Sequence, residues 1–191
     1  MPVLNEADNL HLGTATAAAV YLGGTKVWPP PPVVIAAPAH SLITSYTPGG
    51  DRNDIGGEVG VRLGIGPAPL TISWMGMRCH TGNSGPRTLN LYEFFADAKV
   101  ATATVDLTGK TAGEWVWAAI TPVTLGAGGY YTLMMVVTGP TMQPWNDVGP
   151  ATMRSPEIAN IYYCYRPAGG SVSTGSPNQI FGGGFDLGWN T

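Results

Sequence analysis

The chain has 191 residues, a net charge of −3, 44% hydrophobic residues and only 11% charged ones. No run of Lys or Arg supplies a nucleic-acid footprint, and no apolar run approaches the roughly 18 to 20 residues of a membrane-spanning helix. The 27 glycines and 17 prolines separate short, regularly spaced apolar runs, so they read as turn residues between many strands rather than as marks of disorder.

The first residues, Met1-Pro2-Val3-Leu4-Asn5-Glu6, lack the basic and apolar parts of a signal peptide, so cytoplasmic synthesis without general secretory export is expected. Residues 1–28 read as a small β-rich head. A segment below about 40 residues buries too little surface to fold alone, and this one has no cysteine. It is expected to fold against a partner through Leu10, Leu12, Val20, Tyr21, Leu22, Val27 and Trp28. Residues 29–32 are four prolines, expected to form a polyproline II spacer of roughly 12 Å. A ligand for a proline-recognition domain is the rival reading, but only Lys26 flanks the run as a basic residue.

Residues 33–191 carry candidate strands at Val33–Ala36, Glu58–Gly64, Leu70–His80, Arg87–Phe95, Lys99–Leu107, Glu114–Ile120, Tyr130–Val137, Asn160–Tyr165 and Gly184–Trp189. Turn signals lie between them, at 47–50, 64–67, 81–86 and 126–129. In Trp115–Ile120, period two puts Trp115 and Trp117 on one face and Val116 and Ala118 on the other. The one helix-like fragment, Leu91–Lys99, reads as strand because Leu89, Leu91 and the aromatics continue a run that begins at Arg87. The fold expected is all-β: an antiparallel two-sheet, jelly-roll-like sandwich preceded by the small head and the proline linker.

Chemistry is sparse. The histidines, His11, His40 and His80, stand in no recognisable catalytic or metal-binding frame. Cys79 and Cys164 are expected to be buried reduced thiols. A disulfide between strands is the alternative, and two thiols make an incomplete zinc set. Gly50–Glu58 has carboxylate and amide oxygens at close spacing but not EF-hand spacing, and reads as a turn. No metal and no cofactor is expected. Trp145 with Asn146 and Asp147 is the candidate ligand contact, a ring to stack on a sugar beside groups that bond its hydroxyls. A Trp folded over the sandwich edge is the plainer alternative. A glycan hydrolase would need two carboxylates about 5 to 10 Å apart, and no such pair announces itself.

Two resemblances span nearly the whole chain. Asn5–Gly13 followed by Val20–Pro29, with its repeated Leu-Gly and its ending Lys-Val-Trp-Pro, resembles a short N-terminal module of tailed-bacteriophage virion proteins, notably minor tail proteins. Residues 33–191 resemble a β-sandwich module of bacterial secreted and adhesin-like proteins. Glu58–Arg62, Thr71–His80 with Gly82–Gly85, Thr88–Tyr92, Ala101–Thr104, Gly113–Trp115, Thr121–Val123 and Gly128–Thr132 carry that likeness. The chain departs from the module's pattern at Trp74-Met75-Gly76-Met77 and Cys79, and the module brings no established activity to transfer.

The resemblances imply a virion structural protein that is not an enzyme: a minor tail or tail-tip protein located in the virion and anchored by its head to other tail or capsid proteins. The sandwich would contact a host cell-surface glycan or brace the tail, as a homo-oligomer, without nucleic acid or membrane insertion. A capsid decoration protein and a free carbohydrate-binding module are the alternatives.

Overall fold

The structure is a computed structural model that describes residues 11–12, 15–16, 20–22, 25–28, 37–47, 51–52, 56–137, 145–146, 149–177, 179–180 and 184–190. The chain divides into two compact units, Met1–Ala36 and Ala37–Thr191. In the first, β1 (His11–Leu12) pairs with β2 (Ala15–Thr16), and β3 (Val20–Leu22) with β4 (Thr25–Trp28), both antiparallel. Leu12, Val20, Tyr21, Leu22, Val27 and Trp28 fall in these short ladders. Leu10, Pro29–Pro32 and the expected strand Val33–Ala36 lie outside the described residues.

The second unit contains β5 (His40–Ser41), β6 (Ile43–Tyr46), β7 (Asp51–Arg52), β8 (Gly57–Ile65), β9 (Leu70–Arg78), β10 (Pro86–Glu93), β11 (Ala98–Asp106) and β12 (Trp115–Leu125). It continues with β13 (Tyr130–Val137), β14 (Trp145–Asn146), β15 (Gly149–Met153), β16 (Ile158–Pro167), β17 (Ser173–Pro177), β18 (Gln179–Ile180) and β19 (Phe185–Trp189). One sheet has the order β11-β10-β13-β8-β16-β17, the other β12-β9-β19-β5. Short ladders join β14 to β7 and β18-β15-β6. All pairings are antiparallel, and no helix occurs among the described residues.

With β16 and β17 set aside as an edge extension, the sheets are β8-β13-β10-β11 and β5-β19-β9-β12. Along the chain these eight strands alternate between the sheets at every step except the β10–β11 hairpin. That is jelly-roll connectivity, so the sandwich expected from the sequence is the architecture observed.

Alternation builds the core. On β8, Val59, Val61, Leu63 and Ile65 are buried between the sheets, with Leu89, Leu91, Leu133 and Met135 beside them. Facing them are Ile72, Met75, Met77, Phe185 and Leu187. Burying each such side chain contributes about 1.5–3 kcal/mol. On β9 the inward positions change from Leu70 and Ile72 to Met75 and Met77, where the β9–β12 register shifts at a bulge. Trp115 and Trp117 share the outer face, stacked with ring centroids 5.4 Å apart. Val116 and Ala118 pack on the core, as the period-two pattern requires.

The fragment Leu91–Lys99 is a hairpin, so the strand expected over Arg87–Phe95 stops at Glu93. Asp97 takes a positive φ of 51°, and the Glu93 carboxylate accepts the Ala96 N–H, which closes the turn. Cys79 and Cys164 are free and buried. One belongs to the main core and the other to a cluster with Tyr92 and Met134, so the disulfide alternative falls. Burial pushes both thiols up in pKa.

A buried carboxylate ties the segment entering the sandwich to its last strand. Asp186, 1% exposed, accepts the backbone N–H groups of Leu42, Ile43 and Leu187. Burial pushes its carboxyl up to about 7, against the pull of those donors and of Ser41. Its folded pKa lies above its unfolded value, so the group binds its proton on folding. Its contribution is complete below the ordinary value of 3.8 and is lost as pH rises through about 7. The urea midpoint of wild type relative to Asp186→Asn is expected to fall from about pH 4 to about pH 7 and then level off.

Gly60 on β8 lies opposite Met134, and a Cβ there would collide with the Leu133 carbonyl oxygen. Backbone cannot yield as a side chain can. Gly60→Ala is expected to cost about 3 kcal/mol in urea denaturation.

Candidate functional site

The outer face of the large sheet is set by the alternate residues of β8: Glu58, Gly60, Arg62 and Gly64. Their neighbours follow from the register. Glu58 lies between Val136 and Arg166, Gly60 between Met134 and Cys164, Arg62 between Thr132 and Tyr162, and Gly64 between Tyr130 and Asn160. The two glycines are filled differently: the Leu133 carbonyl takes the place of a side chain at Gly60, and the Asn160 amide lies over Gly64.

The half around Glu58 is saturated. Glu58 Oε1 accepts from Asn90 Nδ2 at 3.0 Å and from the Tyr92 hydroxyl at 2.9 Å. Its Oε2 accepts from Arg166 at 2.8 Å. Arg166 also donates to Asp97 and lies over the Tyr92 ring at 4.5 Å. Thr102 donates to Asn90 Oδ1 at 2.9 Å. Tyr92, Met134 and Cys164 are buried here with Val172 against them. Burial first, and then the hydrogen bond to Glu58, push the Tyr92 phenol up to about 12. With every strong group partnered, this half is a brace.

The half around Arg62 is different. Its guanidinium carbon lies 4.8 Å from the Phe94 ring centroid, 5.2 Å from Tyr130 and 4.2 Å from Tyr162. Three elements bring these rings together: the β10–β11 turn, β13 and β16. Phe95, at 77% exposure, stands edge-on to Phe94 and Tyr130. Of the five buried side-chain atoms without a hydrogen-bond partner among the described residues, three belong to this half, Arg62 Nε, Thr132 Oγ1 and Asn160 Oδ1; the other two are Arg87 Nε and Glu157 Oε2. Thr132 is 1% exposed and lies directly opposite Arg62. Asn160 Oδ1 covers Gly64, where a Cβ would collide with it. Donors, an acceptor and aromatic rings therefore converge without satisfying one another, as in a binding surface.

Trp145 and Asn146 form β14, opposite Arg52 and Asp51 of β7, and their side chains, like Asp147, lie outside the described residues. His40 packs beside Trp189 with ring centroids 5.6 Å apart, and the His80 ring lies against the Thr81 carbonyl. Glu58, the last residue of the calcium-like run, is committed to Asn90, Tyr92 and Arg166. No group of three or more metal-ligating side chains occurs among the described residues. The residues missed from sequence are Arg62, Phe94, Tyr130, Thr132, Asn160 and Tyr162. The one local signal was a charged side chain between two glycines on the polar face of β8.

None of the family models, curated proteins or solved structures compared with the chain matches it.

The saturated half makes a stability prediction. Glu58→Gln, which weakens the mostly buried contact to Arg166, is expected to cost about 2 kcal/mol. Tyr92→Phe is expected to cost about 1 kcal/mol. The double variant should lose less than the two together, because Tyr92→Phe deletes a hydrogen bond that Glu58→Gln has already weakened by making its acceptor neutral. Urea denaturation of the four proteins measures all three quantities.

Proposed function

We propose that the chain is a bacteriophage virion structural protein of the minor-tail kind. Its N-terminal unit anchors it in the particle as a homo-oligomer, and its sandwich is presented for contact with a host-surface glycan or for bracing the tail. The observation that carries this reading is the division of the chain. A unit at Met1–Ala36 contains only strands of two to four residues among its described part. A second unit holds its own jelly-roll core. A unit as small as the first gains stability chiefly by packing on something larger. The likeness of residues 5–29 to a phage module supplies the partner.

The reading assigns no catalysis to the sandwich. On its outer face the carboxylates of Glu58 and Asp97 are both bonded to Arg166, which favours a structural role for them over acid–base work. The open cluster around Arg62 favours ligand binding, so a carbohydrate-binding role is carried forward as the job of the presented unit.

Deletion of residues 1–36 is expected to leave a soluble protein with the far-UV signature of a β-sandwich that no longer enters particles, read by mass spectrometry of purified virions. Incorporation at normal copy number would overturn the anchor. Antibody against the sandwich should label tails in negative stain, whereas label on the head facets would assign the chain to capsid decoration. Absence of the intact protein from particles would leave the free binding module.

A further inference from the structure

We infer that the Arg62 cluster binds an anionic saccharide unit, a ring of hydroxyls that carries a carboxylate or a phosphate. The inference rests on the sandwich being the presented unit and names the chemistry that unit meets.

Arg62 supplies the anion contact. Three aromatic rings lie around its guanidinium. Cation–π contact answers the charge through the rings, but it leaves the in-plane N–H groups to find acceptors. No carboxylate among the described residues bonds this guanidinium. The other arginine of the same sheet face, Arg166, bonds both Glu58 and Asp97. A guanidinium held among rings presents its fork to a planar or tetrahedral anion.

Thr132 and Asn160 extend the site beyond a bare anion. The Thr132 hydroxyl is buried without a partner beside Arg62. An unpaired buried hydroxyl costs stability, and valine would suit the strand at least as well. Asn160 adds an unpartnered acceptor oxygen. An inorganic anion would answer Arg62 and be repelled by Asn160 Oδ1. An apolar ligand would leave all three atoms unpaired. A sugar hydroxyl both donates and accepts, so a ring bearing hydroxyls and one anionic group satisfies the whole set. Phe95, the exposed aromatic at the rim, provides a face for the C–H side of the ring.

The test is a heteronuclear NMR titration of the full chain with glucuronate, glucose 6-phosphate and glucose. At least one anionic sugar is expected to shift the amides of Arg62, Thr132 and Asn160, with glucose about tenfold weaker or more. The tighter of the two anions distinguishes a carboxylate-bearing glycan from a phosphate-bearing one. Arg62→Gln should lose the response. Thr132→Val guards against a folding artefact: it should hold or raise the melting temperature while weakening binding several-fold, which a merely structural hydroxyl would not do. Three results would overturn the assignment: no probe perturbing the patch, glucose binding as tightly as the anions, or Thr132→Val binding like wild type. Particle incorporation is read on virions. A silent titration therefore removes the ligand alone, and a failed anchor leaves the titration standing.

Discussion

The close approach of β13 to β8 at Gly60 is the constraint on which the rest of the sandwich depends. With no side chain at that position, the Leu133 carbonyl can sit where a Cβ would be. The register that follows sets Met134 opposite Gly60, Thr132 opposite Arg62 and Val136 opposite Glu58. Because successive side chains alternate, this pairing sends Val59, Val61 and Leu63 into the core and Glu58 and Arg62 to the outer face. A slip of one residue would exchange the two sets, burying two charges and exposing the core of the central strand.

The outer face then separates into two regions with opposite energetics. Around Glu58 each strong donor and acceptor is used, and an arginine shared between two carboxylates closes the network. Around Arg62, buried polar atoms stay unpaired although the same strands supply both regions. Stable folds satisfy their buried polar groups, and departures from that rule concentrate where a protein gives up stability for binding. The contrast within one sheet face is more informative than either region alone, because backbone geometry and strand composition are shared.

Connectivity explains how the ends of the second unit come together. The jelly roll places β5 and β19, from opposite ends of the unit, side by side in the small sheet. Asp186 reinforces this closure by accepting from the backbone at Leu42 and Ile43. The carboxylate is retained in the interior because three N–H groups there need an acceptor. Cys79 follows β9 of the small sheet and packs in the main core, whereas Cys164 on β16 of the large sheet packs in the Tyr92–Met134 cluster, so the layered topology holds them as separate thiols.

Local sequence determined the class of fold. Short apolar runs bounded by turn residues located β8 to β13, β16 and β19 within a few residues, and period-two alternation oriented Trp115 against Val116, because strand sidedness is a property of neighbouring residues. Glycine and proline marked the turns for the same reason. The end of β10 escaped this reading: Phe94 and Phe95 look like strand residues, while Glu93 and Asp97 close a turn around them through a side-chain bond and a left-handed backbone. The short strands β5 to β7, β14, β15, β17 and β18 carry too few residues to show a period. The candidate site was decided by tertiary structure. Arg62, Phe94, Tyr130, Thr132, Asn160 and Tyr162 come from parts of the chain as much as a hundred residues apart, and only sheet order and register make them neighbours. Sequence could place Arg62 on a polar strand face. That its guanidinium has rings for company and, among the described residues, no carboxylate, while Arg166 on the same face has two, depends on long-range pairing that no local pattern encodes.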